Sequence, residues 1–147
     1  MFELDRGTSK LVFKFENYVK EEERNEDTPW PGVYAEVDTP IVTFESIVSD
    51  IMYTEIEGIR DLLESFLADD MEDVYYFEPM EESFNMVFYP KGRLFGKAYD
   101  DTGNLIEEKE IEMSIRIPDD VYLSDASIKF VLNDEDVERL YEYIKNL

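Results

Sequence analysis

The chain has 147 residues, 37 Asp and Glu against 14 Lys and Arg, a formal net charge of −23 at pH 7, and neither His nor Cys. Those absences exclude a Ser-His-Asp triad, a Cys nucleophile, a disulfide framework and His- or Cys-ligated zinc. The charge excludes a basic nucleic-acid footprint and is repelled by anionic lipid, so the expected partner is a basic protein, with no nucleic acid and no membrane.

A chain this long reads as one α+β domain over residues 1–147 and buries roughly 70% of the surface its unfolded form exposes. Ten Phe, ten Tyr and one Trp set it apart from disordered acidic chains, which are poor in aromatics. No basic-then-apolar leader opens the chain, and no apolar run approaches the roughly 20 residues that span a bilayer. With no Cys, the expected location is the reducing cytoplasm.

Alternation predicts a strand over Leu11–Tyr18, with Leu11, Phe13 and Phe15 on one face. Lys20–Pro29 is polar and reads as an exposed loop closed by Trp30-Pro31-Gly32. Strands follow at Val33–Val37 and, after Pro40, at Ile41–Val48, where apolar residues on both faces suggest a central position. Thr54 and Glu57 have capping-box spacing, and Ile56, Ile59, Leu63, Phe66 and Leu67 recur at helical spacing. Acids from Asp69 onward oppose the macrodipole, so the helix should stop near Ala68.

The second half suggests a meander of strands at Val74–Phe77, Ser83–Tyr89, Leu94–Tyr99, Leu105–Ile117 and Ala126–Leu132, with turns at Pro90–Gly92 and Asp100–Asn104. On the long strand, Ile111, Met113, Ile115 and Ile117 should face the core. Glu110, Glu112, Ser114 and Arg116 should face water. Asn133 caps a final helix over Glu135–Asn146 with a stripe of Val137, Leu140, Tyr141, Ile144 and Leu147. The expected architecture is a mainly antiparallel, meander-like sheet with two amphipathic helices packed on it.

No catalytic residues, metal ligands or cofactor motif emerge. Gly103 stands fourth from Asp100, where a calcium loop needs Gly at the sixth position. No phosphate-binding glycine pattern occurs, so the chain reads as a binding protein and not an enzyme. Two acidic clusters are the candidate partner-binding residues. One is Glu21, Glu22, Glu23, Glu26 and Asp27 beside Trp30; the other is Asp69, Asp70, Glu72 and Asp73 before Tyr75 and Tyr76. An aromatic beside steering charge supplies an anchor and an on-rate together. Strand alternation places one of the two tyrosines inside and the other outside.

Phe2-Glu-Leu4, the strand ending Asn17-Tyr18, the strand from Trp30, the helix Thr54–Leu67 followed by Phe77-Glu-Pro79, and the strand-to-helix stretch Phe130–Leu140 form a recognisable layout. It resembles the WapI-like immunity proteins of bacterial contact-dependent toxin systems. The resemblance implies a small cytoplasmic protein that binds and blocks a cognate toxin domain, often a nuclease with a basic groove, without an active site of its own. The loop Lys20–Pro29 and the hairpin Leu94–Ile117 lie outside that pattern. The alternatives are a nucleic-acid mimic that inhibits a DNA-binding protein, and an acidic adaptor domain without catalytic activity. Oligomeric state is not legible in the sequence.

Overall fold

A computed structural model describes residues 1–46, 48–92, 98–99, 101–103, 105–106, 108–119 and 122–147. The chain opens with a hairpin that sequence periodicity alone does not single out: β1 (Phe2–Asp5) pairs antiparallel with β2 (Lys10–Glu16), placing Phe2 opposite Phe13 and Leu4 opposite Leu11. Gly7 turns it at φ 80°, its N–H donating to Asp5 Oδ1. β2 ends before the predicted Tyr18 because Asn17 takes φ 58°, a left-handed conformation that Asn tolerates. β3 (Gly32–Asp38) pairs along the whole of β2.

The single central strand predicted over Ile41–Val48 is instead one short edge strand, β4 (Thr43–Glu45), followed just beyond the range by another, β5 (Ser49–Asp50), both paired with β3. Buried Ser46 interrupts them. Its N–H donates to Ala35 O and its Oγ accepts from Ala35 N–H, both at 2.8 Å, so a side chain takes a place in the ladder. Ile41 and Val48 consequently face solvent, and Ile47 lies outside the described residues.

α1 (Tyr53–Leu67) starts one residue before the predicted cap. Met52 occupies the N-cap, and Glu55 closes back instead of Glu57, its Oε2 accepting from Met52 N–H at 2.9 Å. Its Oε1 accepts from Met80 N–H at 2.8 Å, tying the helix start to the loop Glu78–Ser83 within the second sheet. Ile56, Ile59, Leu63 and Phe66 form the buried stripe.

The second sheet runs β11–β10–β7–β6, all antiparallel, from β6 (Tyr75–Phe77), β7 (Phe84–Tyr89), β10 (Glu110–Asp119) and β11 (Tyr122–Leu132). Between β7 and β10 a two-stranded ribbon joins β8 (Ala98–Tyr99) to β9 (Leu105–Ile106). The predicted strand Leu94–Tyr99 is described only in its last two residues, and the predicted turn Asp100–Asn104 only over Asp101–Gly103, with Gly103 at φ 81°. The outer face of β10 is not the wet face its alternation suggested. Glu112 and Ser114 are buried there, with Val87 beside Glu112 in register and Lys129 paired to it at 3.4 Å.

The inner faces of the two sheets and both helices share one apolar core. Phe13 of the first sheet meets Phe84 of the second edge-to-face at 5.1 Å, and buried Ser49 and Ser83 hydrogen-bond across the same junction at 2.6 Å. α2 (Asp134–Lys145) adds Val137, Leu140 and Ile144, and Tyr143 OH accepts from Phe15 N–H at 2.8 Å. The architecture is α+β with mainly antiparallel sheet, as the sequence indicates.

Asp136 holds the periphery of this core. Its N–H and carboxylate complete a capping box with Asn133, the predicted cap. Arg6, from the β1–β2 turn, reaches the same buried carboxylate and also donates to Val131 O at 3.0 Å. Arg139 donates to Asp136 Oδ1 at 2.9 Å and to Glu3 O at 2.8 Å. Burial works to raise the Asp136 pKa, but hydrogen bonds from Arg6, Asn133 and Arg139 outweigh it and hold the carboxyl below its usual range. A folded pKa below the unfolded one contributes stability above the unfolded value and loses it as pH falls through the folded one. Asp136→Ala should therefore cost about 3 kcal/mol at neutral pH, towards the low end for a broken buried ion pair because both arginines keep solvent access. Urea titrations at a series of pH values should show the deficit shrinking as the pH drops below about 4. A pH-independent deficit would contradict a charged Asp136.

Candidate functional site

The first acidic cluster is an ordered platform. Glu21, Glu22 and Glu23 form a single 3-10 turn with none of them buried. Glu26 and Asp27 are exposed on the next turn, where Asn25 N–H donates to Thr28 Oγ1 and Asp27 N–H to Asn25 Oδ1, both at 2.9 Å. Arg24 organises this segment from beneath. Its Nε donates to Val19 O at 2.7 Å and another nitrogen to Tyr18 OH at 2.8 Å. Its guanidinium lies 3.6 Å from the Tyr53 ring centroid and reaches Glu57 at 3.7 Å. A cation over an aromatic face, with its protons on carbonyl and hydroxyl oxygens, locks the loop onto the first turn of α1. Trp30, at the end of the loop, is 47% exposed.

The second cluster begins at the other end of α1. Asp69 takes φ 58°, letting its own N–H bond Phe66 O and that of Asp70 bond Ser65 O. Lys109 offsets the unfavourable placement of an acid here. Its Nζ donates to Phe66 O at 2.9 Å and pairs with Asp69 Oδ1 at 2.8 Å. Asp70, Glu72 and Asp73 are exposed, and none is ion-paired with a described residue. The expected division, one tyrosine inside and the other outside, does not hold. Tyr75 does turn inward, edge-on to Phe88 at 6.4 Å, but β6 is the last strand of its sheet, so Tyr75 stays 47% exposed and Tyr76 66%.

The two clusters are not one patch. They are anchored at opposite ends of α1, about 20 Å apart for a helix of 15 residues. The tertiary structure groups Asp69 instead with residues that sequence reasoning did not select. An open cleft of about 620 Å³ is lined by Asp69, Glu108, Lys109, Asn133, Asp134 and Glu135. Its carboxylates come from the end of α1, the approach to β10 and the first turn of α2, and no local motif links them. Acids in the first turn of α2 compensate its positive helix end, which leaves the cleft suited to a basic side chain and not to an anion. Among the described residues no group of three His, Cys, Asp or Glu side chains is arranged to hold a metal, and no helix is long and apolar enough to cross a membrane. No protein-family model, curated protein or solved structure matches the chain.

Removing the Arg24 clamp should free the first platform without unfolding the protein. Arg24→Ala is expected to cost about 1–2 kcal/mol and to speed amide hydrogen exchange at Thr28 and its neighbours, with α2 amides unchanged. Uniform acceleration across the chain would show that Arg24 supports the whole fold.

Proposed function

We propose that this protein is a binding protein that neutralises a basic toxin domain, a nuclease among the candidates, by charge-steered association in the cytoplasm. The family part of this reading rests on the resemblance to WapI-like immunity proteins. The observation that carries it is the pairing of acidic clusters with solvent-exposed aromatics: Glu21–Glu23, Glu26 and Asp27 beside Trp30, and Asp70, Glu72 and Asp73 beside Tyr76. Carboxylates without internal partners steer a basic surface and raise its association rate by about 10 to 10³-fold. An exposed aromatic beside them supplies the desolvated contact that slows dissociation.

The nucleic-acid mimic has narrower support. Glu57, Asp61 and Glu64 share one side of α1 at helical spacing, a short line of carboxylates. Arg24 partners Glu57 and Arg60 lies 3.4 Å from Asp61, so much of that line is already compensated.

The decisive test is to look for a toxin domain encoded beside its gene and co-express the two; the absence of such a neighbour would count against the proposal. Growth should be restored, and loss of protection by an otherwise folded protein would be informative. The combined variant Glu21→Gln, Glu22→Gln, Glu23→Gln should slow association with that domain about tenfold at low salt and converge with the parent at high salt. Failure to restore growth, or an association rate indifferent to salt and to these substitutions, would overturn the proposal.

A further inference from the structure

The outer edge of β6 is an open template for another strand. β6 ends the sheet β11–β10–β7–β6, and among the described residues nothing hydrogen-bonds to its outward backbone. Three other edges among the described residues carry a side-chain bond on their backbone. At β1, Glu3 O accepts from Arg139, and at β11, Val131 O accepts from Arg6. At β5, Asp50 N–H donates to Glu81 Oε2 at 2.7 Å. β4 is also an edge, but it presents Thr43 and Glu45 to solvent, whereas β6 presents Tyr75 and Tyr76, with Met80 exposed just beyond. Edge strands are ordinarily covered, broken or charged to prevent pairing. Here the charge flanks the strand and the strand itself is aromatic.

We infer that the β6 edge binds an extended, basic segment of a partner protein by strand addition, a deepening that rests on the charge-steered reading above. Tyr75 and Tyr76 point to opposite faces of the sheet, so an added strand would find an aromatic neighbour on each face at cross-strand distance. Asp70, Glu72 and Asp73 precede the strand and Glu78 follows it. All four are exposed, and none is ion-paired with a described residue. These acids select the occupant. A second copy of this chain would bring the same carboxylates, and another charge of −23, against them. A segment alternating Lys or Arg with β-branched residues meets the acids and the tyrosines together.

The test uses the intact protein, isotopically labelled, and a synthetic peptide of about eight alternating Lys and Val residues, one ordinary strand in length. The peptide should shift the amide resonances of Tyr75–Phe77 and slow hydrogen exchange either at Tyr76 or at Tyr75 and Phe77, since successive amides point to opposite edges. Two N-methylated versions, blocking alternate nitrogens in the two possible phases, should divide: one binds like the parent and the other about tenfold or more weakly. Tyr76→Ala, at an exposed position the fold does not need, should weaken binding about tenfold. Equal binding by both methylated peptides, no binding by the parent peptide, or a dimer of the protein protecting these same amides would each overturn the inference. Salt-sensitive binding confined to the Trp30 platform would sink strand addition and leave charge steering intact. Binding at β6 that ignores salt would do the reverse.

Discussion

The buried carboxylate of Asp136 is where the two sheets and the last helix are joined. Each sheet has an inner apolar face, but the first ends at the β1–β2 hairpin and the second at the end of β11, and those ends need a polar fastener. Arg6 and Arg139 supply it by bridging Asp136 to Val131 O and Glu3 O. Without the two arginines the carboxylate would be a buried unpaired charge. Without the carboxylate the hairpin would lose its tether to α2.

That arrangement illustrates a wider constraint. A chain with 14 cationic side chains against 37 anionic ones has few cations to distribute. Several of them work as fasteners: Arg6 and Arg139 at Asp136, Arg24 between the acidic loop and Tyr53, and Lys109 on the last carbonyls of α1. Each fixes backbone as well as charge. The acids of the two clusters other than Asp69 are ion-paired with no described residue, and they are held in defined places because Arg24 and Lys109 beside them are committed to structure. A strongly acidic exterior and an ordered one therefore have a common origin.

Much of the fold was legible in local pattern. The period of α1 and α2, the Asn133 cap, the end of α1 near Ala68 and the inward placement of Ile111, Met113 and Ile115 on β10 follow from residue spacing and capping chemistry. The errors share one physical cause, which is that alternation describes a strand but not its neighbours. Ile41–Val48 looked central because both faces are apolar, yet Ser46 breaks it at an edge. Glu112 and Ser114 looked wet, yet they are buried. Alternation puts one of Tyr75 and Tyr76 inside, yet both border solvent because β6 is the last strand in the order of its sheet. The capping box shifted from Thr54 and Glu57 to Met52 and Glu55 because Glu55 also receives Met80 N–H from a distant loop.

The sequence by itself determined that this is a folded, acidic α+β protein without His or Cys chemistry, and it located both acidic clusters with their neighbouring aromatics. Composition and short-range periodicity act within a few residues, and those properties depend on nothing further away. Only the tertiary structure decided that the clusters stand at opposite ends of α1, that Arg24 and Lys109 hold their bases, and that Asp69 faces Glu108 and Asp134 across a cleft. It alone showed the β6 edge without a partner among the described residues. Those facts concern groups far apart in the chain, whose proximity is set by the shared core of two sheets and two helices and is written in no local pattern.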